Sequence, residues 1–265
     1  MSVYDYSGKV VIITGSSSGI GQATAVLFAK SGAFVTIHGR SEDGLKKTKD
    51  LILEAGIAED KVHAVKGSIV DSNVQRALID ETYKTFGRID VLINNAGGMK
   101  SDETDQRSMT VLNYALDVHV KAPIALTELV IPYLEKTKGN IVNISGIGAQ
   151  MPIPTFPYYS IARAAEDHFT RNYAAILAPK GIRINNINPG LVDTPILSQI
   201  QMPSEMLKKL SKFYISQIPL GRIARAEEIA SFLAFVASEK ASYMTGQCII
   251  VDGGSLIHSQ PFKFD

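Results

Sequence analysis

The sequence predicts an α/β protein built as one doubly wound parallel sheet of about seven strands flanked by helices. Three observations predict it. Short, continuously apolar runs alternate with longer amphipathic stretches from end to end, the pattern of repeated strand–helix–strand units. The first apolar run turns through a glycine-rich stretch into an amphipathic segment, the outline of a phosphate-binding loop at a helix N-terminus. No repeat or low-complexity linker interrupts the 265 residues, so 1–265 is read as a single domain.

The elements follow in chain order. Val10 to Ile13 is apolar throughout, as expected of a parallel strand covered on both faces. Thr14 to Gly21 then supplies a tight turn, a close backbone approach to a phosphate and the first turn of a helix; Gly15, Ser17, Ser18, Gly19, Ile20 and Gly21 are its candidate ligand-binding positions. In that helix Ile20, Ala23, Leu27 and Ser31 fall at helical spacing, on the face predicted to pack on the sheet. A strand at Phe34 to His38, a capped helix at Ser41 to Ala55, a strand at Val62 to Lys66 and a helix at Asp71 to Phe86 come next. Val91 to Ile93, Asn140 to Ile144, Ile182 to Asn186 and Cys248 to Val251 complete the set of buried strands.

The composition narrows the function classes. Lys and Arg total 27 against 26 acidic residues, a net charge of +1, so no charge excess points to nucleic acid or to a membrane surface. The run Lys46-Lys47-Thr48-Lys49 reads as a solvated helix face. One cysteine, Cys248, excludes an intrachain disulfide framework, suits a reducing compartment, and beside Ile249 and Ile250 reads as a buried structural thiol. The start, MSVYDYSGKV, lacks the basic and apolar regions of an export signal, and no apolar stretch approaches membrane-spanning length. A soluble, cytoplasmic protein is the expectation. The histidines at 38, 63, 168 and 258 show no metal-ligand spacing, so no metal site is predicted.

Two stretches refine the ligand. Ile37-His38-Gly39-Arg40 ends the second strand without an acid and with one guanidinium; Arg40 can pair bidentately with a 2′-phosphate, which favours NADP over NAD. His38 is read as strand-end packing. Asn94-Asn95-Ala96-Gly97 ends the fourth strand in small polar residues and a glycine, where backbone can lie against a flat ligand. The letters Gly15-Ser16-Ser17-Ser18-Gly19 also fit the G-x-S-x-G nucleophile elbow of serine hydrolases. Only fourteen residues precede Gly15, though, leaving no room for the earlier strands and oxyanion loop of such an enzyme.

Together TGSSSGIG, NNAG, Tyr159-Ser160-Ile161-Ala162-Arg163, the NPG of Asn188 to Gly190 and MTGQCIIVDGG resemble the short-chain dehydrogenase/reductase family over nearly the whole chain. The resemblance implies a Rossmann-type fold and hydride transfer between a nicotinamide and a carbonyl or alcohol. It implies that Ser17, Ile20 and Arg40 contact the phosphates and adenosine ribose, that Asn94, Ala96 and Gly97 contact the middle of the cofactor, and that the backbone after Pro189 and Gly190, at Val192 with Thr194, holds the nicotinamide amide. Ser68, followed by Ile69, stands where the family usually has an aspartate against the adenine. A homotetramer or homodimer built on long helices near 109–137 and 157–178 is implied as well.

The catalytic positions depart from the family's pattern. Tyr159 matches the tyrosine that supplies or takes the proton. A free phenol titrates near ~10, so it needs a positive neighbour to work near neutrality. Arg163 stands where the family has a lysine; at i+4 it shares a helical face with Tyr159, but with a pKa above ~12 it does not release a proton. Gly146 occupies the position of the serine that bonds the substrate oxygen, with Ser145 as a neighbouring substitute. His119 stands at the family's asparagine position. Leu112, Leu116, His119, Pro123, Leu126 and Val130 form one stripe, so His119 is read either as a packed core histidine or as the holder of a relay water. Met151, Pro152, Ile153, Pro154, Phe156 and Pro157, with Leu191, Ile196, Leu197, Ile200, Met202 and Met206, suit an apolar carbonyl or alcohol, and 195–215 is read as a lid. Two functions stay open: an NADP-dependent oxidoreductase in which Ser145 or His119 covers for the missing serine, or an NADP-binding sensor or scaffold with little turnover.

Overall fold

The computed structural model describes residues 4–100, 102–196 and 204–257. Seven strands, β1 (Val10–Ile13), β2 (Phe34–Gly39), β3 (Val62–Lys66), β4 (Val91–Asn94), β5 (Asn140–Ile144), β6 (Arg183–Pro189) and β7 (Cys248–Val251), form one sheet in the order β3-β2-β1-β4-β5-β6-β7. Every adjacent pair is parallel. The order reverses between β1 and β4, so the loops leaving these two strands diverge to opposite faces and open a crevice at the carboxyl edge. All four residues of β1, and all four of β4, are buried, which accounts for their unbroken apolar sequence.

The helices α1 (Gly19–Lys30), α2 (Glu42–Glu54), α3 (Ser72–Phe86), α4 (Met109–Leu116), α5 (Ala122–Thr137), α6 (Pro157–Leu177), α7 (Ser204–Ser216) and α8 (Ala226–Ala237) flank the sheet. Val11, Ile13, Val35, Ile37 and Val142 face α1 and α8 in one core, while Ile12, Leu92, Ile141 and Ile184 face α3, α5 and α6 in the other. Successive strand residues point to opposite faces, which is why neighbours in β1 enter different cores. Ser41 and Asp71 cap α2 and α3, accepting from Gly44 N and Asn73 N, as their positions in the sequence suggested.

Three details differ from the sequence expectation. The buried face of α1 is Gly21, Thr24, Ala25, Phe28 and Ala29, one position along from the expected stripe Ile20, Ala23, Leu27 and Ser31, of which only Ser31, just past the helix, is buried. Around Phe28 this face carries small residues, Gly21, Ala25 and Ala29, which let the helix pack closely on the sheet. β6 runs three residues past Asn186 to Pro189, carrying the NPG motif to the carboxyl edge. Between α4 and α5 the helix does not end: a π-helical turn at Asp117–Lys121 inserts an extra residue and shifts the apolar stripe, so that Val111 and Ala115 are buried where Leu112 and Leu116 are only half-buried.

Candidate active site

The glycine-rich loop is shaped by close approaches. Gly15 and Gly19 hold φ of +65° and +55°, and a Cβ on Gly15 would lie 2.7 Å from Ala96 Cα. One on Gly21 would lie 2.4 Å from the Gly15 carbonyl oxygen. Thr14 welds the loops after β1 and β4 together: its hydroxyl accepts from Asn95 N at 3.0 Å and Ala96 N at 2.9 Å, and Asn95 Nδ2 donates back to the Thr14 and Gly15 carbonyls at 2.8 and 3.1 Å. Neither Thr14 nor Asn95 was singled out from the sequence. Their signal is the short hydroxyl and amide type within a turn, which bonds nearby backbone readily.

His38 does more than pack. It is buried, and its Nδ1 accepts from Gly15 N–H at 3.2 Å. Burial, with Arg40 nearby, pushes it down to about 4, so the ring is neutral and the accepting nitrogen is free of a proton at ordinary pH. Ser16 accepts from His38 N at 2.8 Å, closing the contact between the loop and β2. Ser17 lies between the end of β2 and the start of α2: a Cβ on Gly39 would meet its side chain at 2.7 Å and one on Gly44 at 2.9 Å. Its hydroxyl bonds no histidine among the described residues, and nothing else of a hydrolase site gathers there. Ser18 is the N-cap of α1 and leaves its hydroxyl out of the cap, while Ile20 is half-buried on the first turn. Arg40 is exposed beside the α2 cap and makes no ion pair among the described residues. Ser68 is half-buried after β3; Ile69 is buried, its carbonyl accepting from Gln75 Nε2 at 2.7 Å.

The four positions expected from the sequence to be catalytic, Tyr159, Arg163, Gly146 and His119, do converge. Tyr159, on the first turn of α6, is flanked by the Arg163 guanidinium 4.9 Å above its ring and by the His119 ring edge-on at 5.5 Å. A Cβ on Gly146 would point at the Tyr159 hydroxyl, 3.4 Å away. The sequence resemblance expected a substrate-bonding serine at this position, and it carries no side chain. Ser145 does not fill it: this residue is buried and its Oγ donates to the Arg163 carbonyl at 3.3 Å, away from the phenol. Adjacent residues leave a strand end in opposite directions, which explains the separation.

His119 is buried, and its Nε2 lies 3.0 Å from the Gly98 carbonyl, so the core-packing reading describes its surroundings. A donating Nε2 leaves Nδ1 as an acceptor, and Nδ1 has no partner. Burial and the Arg163 charge push this imidazole well below its ordinary value, keeping it neutral. Arg163 is 4 % exposed. Its Nη1 donates to Ile144 O at 2.7 Å and to Glu166 Oε2 at 2.8 Å, while Nε is unpartnered. Burial would weaken its hold on the proton, but Tyr159 and Glu166 more than offset this and its pKa is raised. Glu166 went unnoticed in the sequence, although at i+3 from Arg163 and i+7 from Tyr159 it shares their helical face.

Gly97 lies close against these groups. A Cβ there would come within 3.0 Å of the His119 ring and 3.2 Å of Arg163 Nη2. Asn94 spends its amide on Asn143 at 2.9 Å and leaves Oδ1 unpartnered, while Ala96 N is taken by Thr14. On the far side Val192 is buried and bridged to Ala224, Thr194 packs against Gly19, and Gly190 N donates to Val251 O at 3.0 Å with no room for a side chain against Asp252. The close-packed glycines Gly15, Gly19, Gly21 and Gly97 thus let backbone lie near the carboxyl edge of the sheet, and buried polar atoms of His119 and Arg163 beside Gly97 are left without a partner. These residues fit a nicotinamide dinucleotide.

Of the apolar residues near the mouth, Met151, Ile153, Phe156, Leu191 and Ile196 are half-buried, and Ile153 reaches across Gly148 towards Tyr159. Pro152 and Pro154 are exposed. Leu197, Ile200 and Met202, and with them part of the 195–215 segment, lie outside the described residues, as does the side chain of Met206; the rest of that segment belongs largely to α7. Cys248 is half-buried, 3.8 Å from the Asp167 carbonyl, and burial pushes its thiol up to about 12, which keeps it unreactive.

A family model described as enoyl-(acyl carrier protein) reductase matches residues 15–255. The chain is 34% identical over 251 residues to 3-oxoacyl-(acyl-carrier-protein) reductase FabG of Thermotoga maritima, covering 94% of this chain and 98% of that one. A crystal structure of a short-chain dehydrogenase/reductase of unknown function from Caenorhabditis elegans with cofactor superposes with a TM-score of 0.90 at 40% identity, covering 96% and 97% of the two chains. Glucose dehydrogenase of Caenorhabditis elegans in the apo form superposes with a TM-score of 0.83, also at 40% identity, over 95% and 99%.

Proposed function

We propose that this chain, which belongs to the short-chain dehydrogenase/reductase family, is an NADP(H)-dependent oxidoreductase that moves a hydride between nicotinamide and an apolar carbonyl or alcohol. The observation that carries the reading is the convergence of Arg163 and His119 on the Tyr159 ring, with Gly97 against those same two side chains. The bound cofactor supplies or accepts the hydride. The protein's own residues hold that cofactor and handle the proton.

The loop Gly15 to Gly21 and the first turn of α1 receive the pyrophosphate, with Ser17, Ser18 and Ile20 at its edge. Arg40, exposed and free of an ion pair among the described residues, meets a 2′-phosphate, which is the basis for preferring NADP to NAD. Ser68 and Ile69 border the adenine; Asn94, Ala96 and Gly97 line the central stretch; Pro189, Gly190, Val192 and Thr194 receive the carboxamide. Tyr159 donates a proton to the carbonyl oxygen in reduction and takes it back in oxidation. Arg163 presents a permanent charge across the ring face and Nη2 towards the ribose side, holding Tyr159 in place without entering a proton relay. Neutral His119 offers Nδ1 as the acceptor for a bridging water. Ser145 serves the backbone of α6 and is left out of the substrate contacts.

The half-buried Met151, Ile153 and Phe156 suit an acyl chain, as in the oxoacyl substrate that one relative's name carries, better than the sugar of another. The helices α4 to α6 are the surface on which a homodimer or homotetramer would assemble. A second reading, a cofactor-binding protein with little turnover, is favoured by Gly146 alone, since no hydroxyl faces Tyr159 from that position.

Titrating the protein with NADPH and NADH by cofactor fluorescence, then supplying 3-oxoacyl thioesters, ketosteroids and sugars, tests both readings. Tight NADPH binding, weaker NADH binding, oxidation of NADPH by an apolar ketone, and loss of that rate in Tyr159→Phe with binding retained are the expected outcomes. Full activity in Tyr159→Phe would refute the mechanism; binding without turnover on any carbonyl would favour the sensor.

A further inference from the structure

We propose that Glu166 is a positioning residue for this site: its carboxylate anchors the Arg163 guanidinium, so that the charge stacked on Tyr159 and the donor beside Gly97 are held in one orientation. The inference rests on the reading of the site as a nicotinamide cleft. Arg163 has three separable ends. Nη1 is occupied, by Ile144 O at 2.7 Å and Glu166 Oε2 at 2.8 Å. Nη2 lies 3.2 Å from the position a Cβ on Gly97 would take, and the guanidinium carbon sits 4.9 Å from the Tyr159 ring centre. A bond at Nη1 that cannot slip therefore decides where the other two ends point. An unanchored arginine has four rotatable bonds and loses more freedom on being fixed than the site's other side chains.

The anchor is a costly one, which argues that it is there for orientation. Glu166 is 1 % exposed, and burial pushes its carboxyl up to about 7 against the pull of Arg163. An apolar side chain in the same place would pack at no such cost. The groups facing this carboxylate are Arg163 and Asp167 on α6 and Cys248 of β7; Asp167 is itself held by Asn186 Nδ2 at 2.9 Å and Asn188 Nδ2 at 2.8 Å from β6. His119, from the π turn, shares the Arg163 charge. The carboxylate also offsets part of the guanidinium's charge, so its ionisation moderates the field that Arg163 places on the phenol.

Glu166→Gln and Glu166→Leu separate these effects in the full-length protein. Glutamine keeps an acceptor for Nη1 without the charge; leucine removes the anchor. With folding checked by thermal melting, the NADPH Kd and the pH profile of alcohol oxidation are measured for both variants and the wild type. The Gln variant is expected to bind NADPH within about threefold of wild type, with the rising limb of its profile moved to lower pH. The Leu variant is expected to lose about tenfold in NADPH affinity and on the order of 10²-fold in kcat, the scale of a misplaced catalytic group. A Leu variant with wild-type Kd, kcat and profile overturns the proposal, and so does a Gln variant as impaired as Leu. If the wild type binds NADPH but turns nothing over, the assigned activity fails, and the difference in Kd between the Leu and Gln variants still decides the anchoring. If Leu does not fold, Glu166→Asp, which keeps the charge but withdraws it from Nη1, takes its place, and wild-type Kd and kcat in that variant overturn the proposal.

Discussion

Gly146 is the residue on which turnover depends most plainly. Its φ of 176° is ordinary extended backbone, open to any side chain, and a Cβ there would stand 3.4 Å from the Tyr159 hydroxyl, at normal contact distance. Gly146→Ser therefore fits without strain and places a hydroxyl next to the phenol, where a carbonyl oxygen would bind. A donor of that kind is worth on the order of 10²–10³-fold in rate. The expected outcome is a rise in kcat of at least tenfold with little change in NADPH Kd, measured by steady-state kinetics beside the wild type. An unchanged or lower kcat would mean that the site already supplies the missing donor. Ser145 cannot be that donor while its hydroxyl is spent on the Arg163 carbonyl.

At the scale of elements, the π turn between α4 and α5 sets where His119 stands. The extra residue at 117–121 turns Val118 and His119 inward together, and Nε2 then reaches back to Gly98 in the loop after β4. His119 thereby clamps that loop to the helix. His119→Ala removes the clamp, strands a buried carbonyl and leaves a cavity, so a loss of about 2–4 kcal/mol is expected in urea unfolding, together with weaker NADPH binding. Wild-type stability in this variant would show that the loop is held elsewhere. Much of this arrangement was legible beforehand. Strands buried on both faces, such as β1 and β4, announce themselves as unbroken apolar runs; spacing from Tyr159 pointed to Gly146 and Arg163, and the family resemblance pointed to His119. The π turn was not legible, because apolar residues occupy both the expected stripe, Leu112 and Leu116, and the buried one, Val111 and Ala115, so the pattern does not register the inserted residue. Nor was Glu166, since a glutamate three residues after an arginine is the pattern of a solvated helix face. His38 was hidden for a different reason: its partner is a backbone amide 23 residues away, brought close only by the pairing of β1 with β2.

For the molecule as a whole, the buried ionisable groups set how stability responds to acid. His38 is lowered from 6.5 to about 4, chiefly by burial, so between these values the unfolded chain takes up a proton that the folded one refuses. Stability from this source is present above 6.5 and is lost as pH falls, by about 2 kcal/mol between pH 7 and pH 5. His119 acts in the same direction. Glu166 has the opposite sign: raised from 4.5 to about 7 by burial, it contributes stability that is full below 4.5 and is lost as pH rises through 7. Between pH 7 and pH 5 it returns about 2 kcal/mol on acidification, nearly cancelling His38. The wild type should accordingly hold its urea midpoint over this range, declining only by the share due to His119. In Glu166→Gln the compensating proton is gone, and the variant should lose about 2 kcal/mol more than the wild type between pH 7 and pH 5. Comparing the two proteins at each pH cancels the exposed carboxylates, which both share. Parallel slopes would mean that Glu166 stays ionised throughout, bound to Arg163 as firmly at pH 5 as at pH 7, and the histidines alone would then govern acid unfolding.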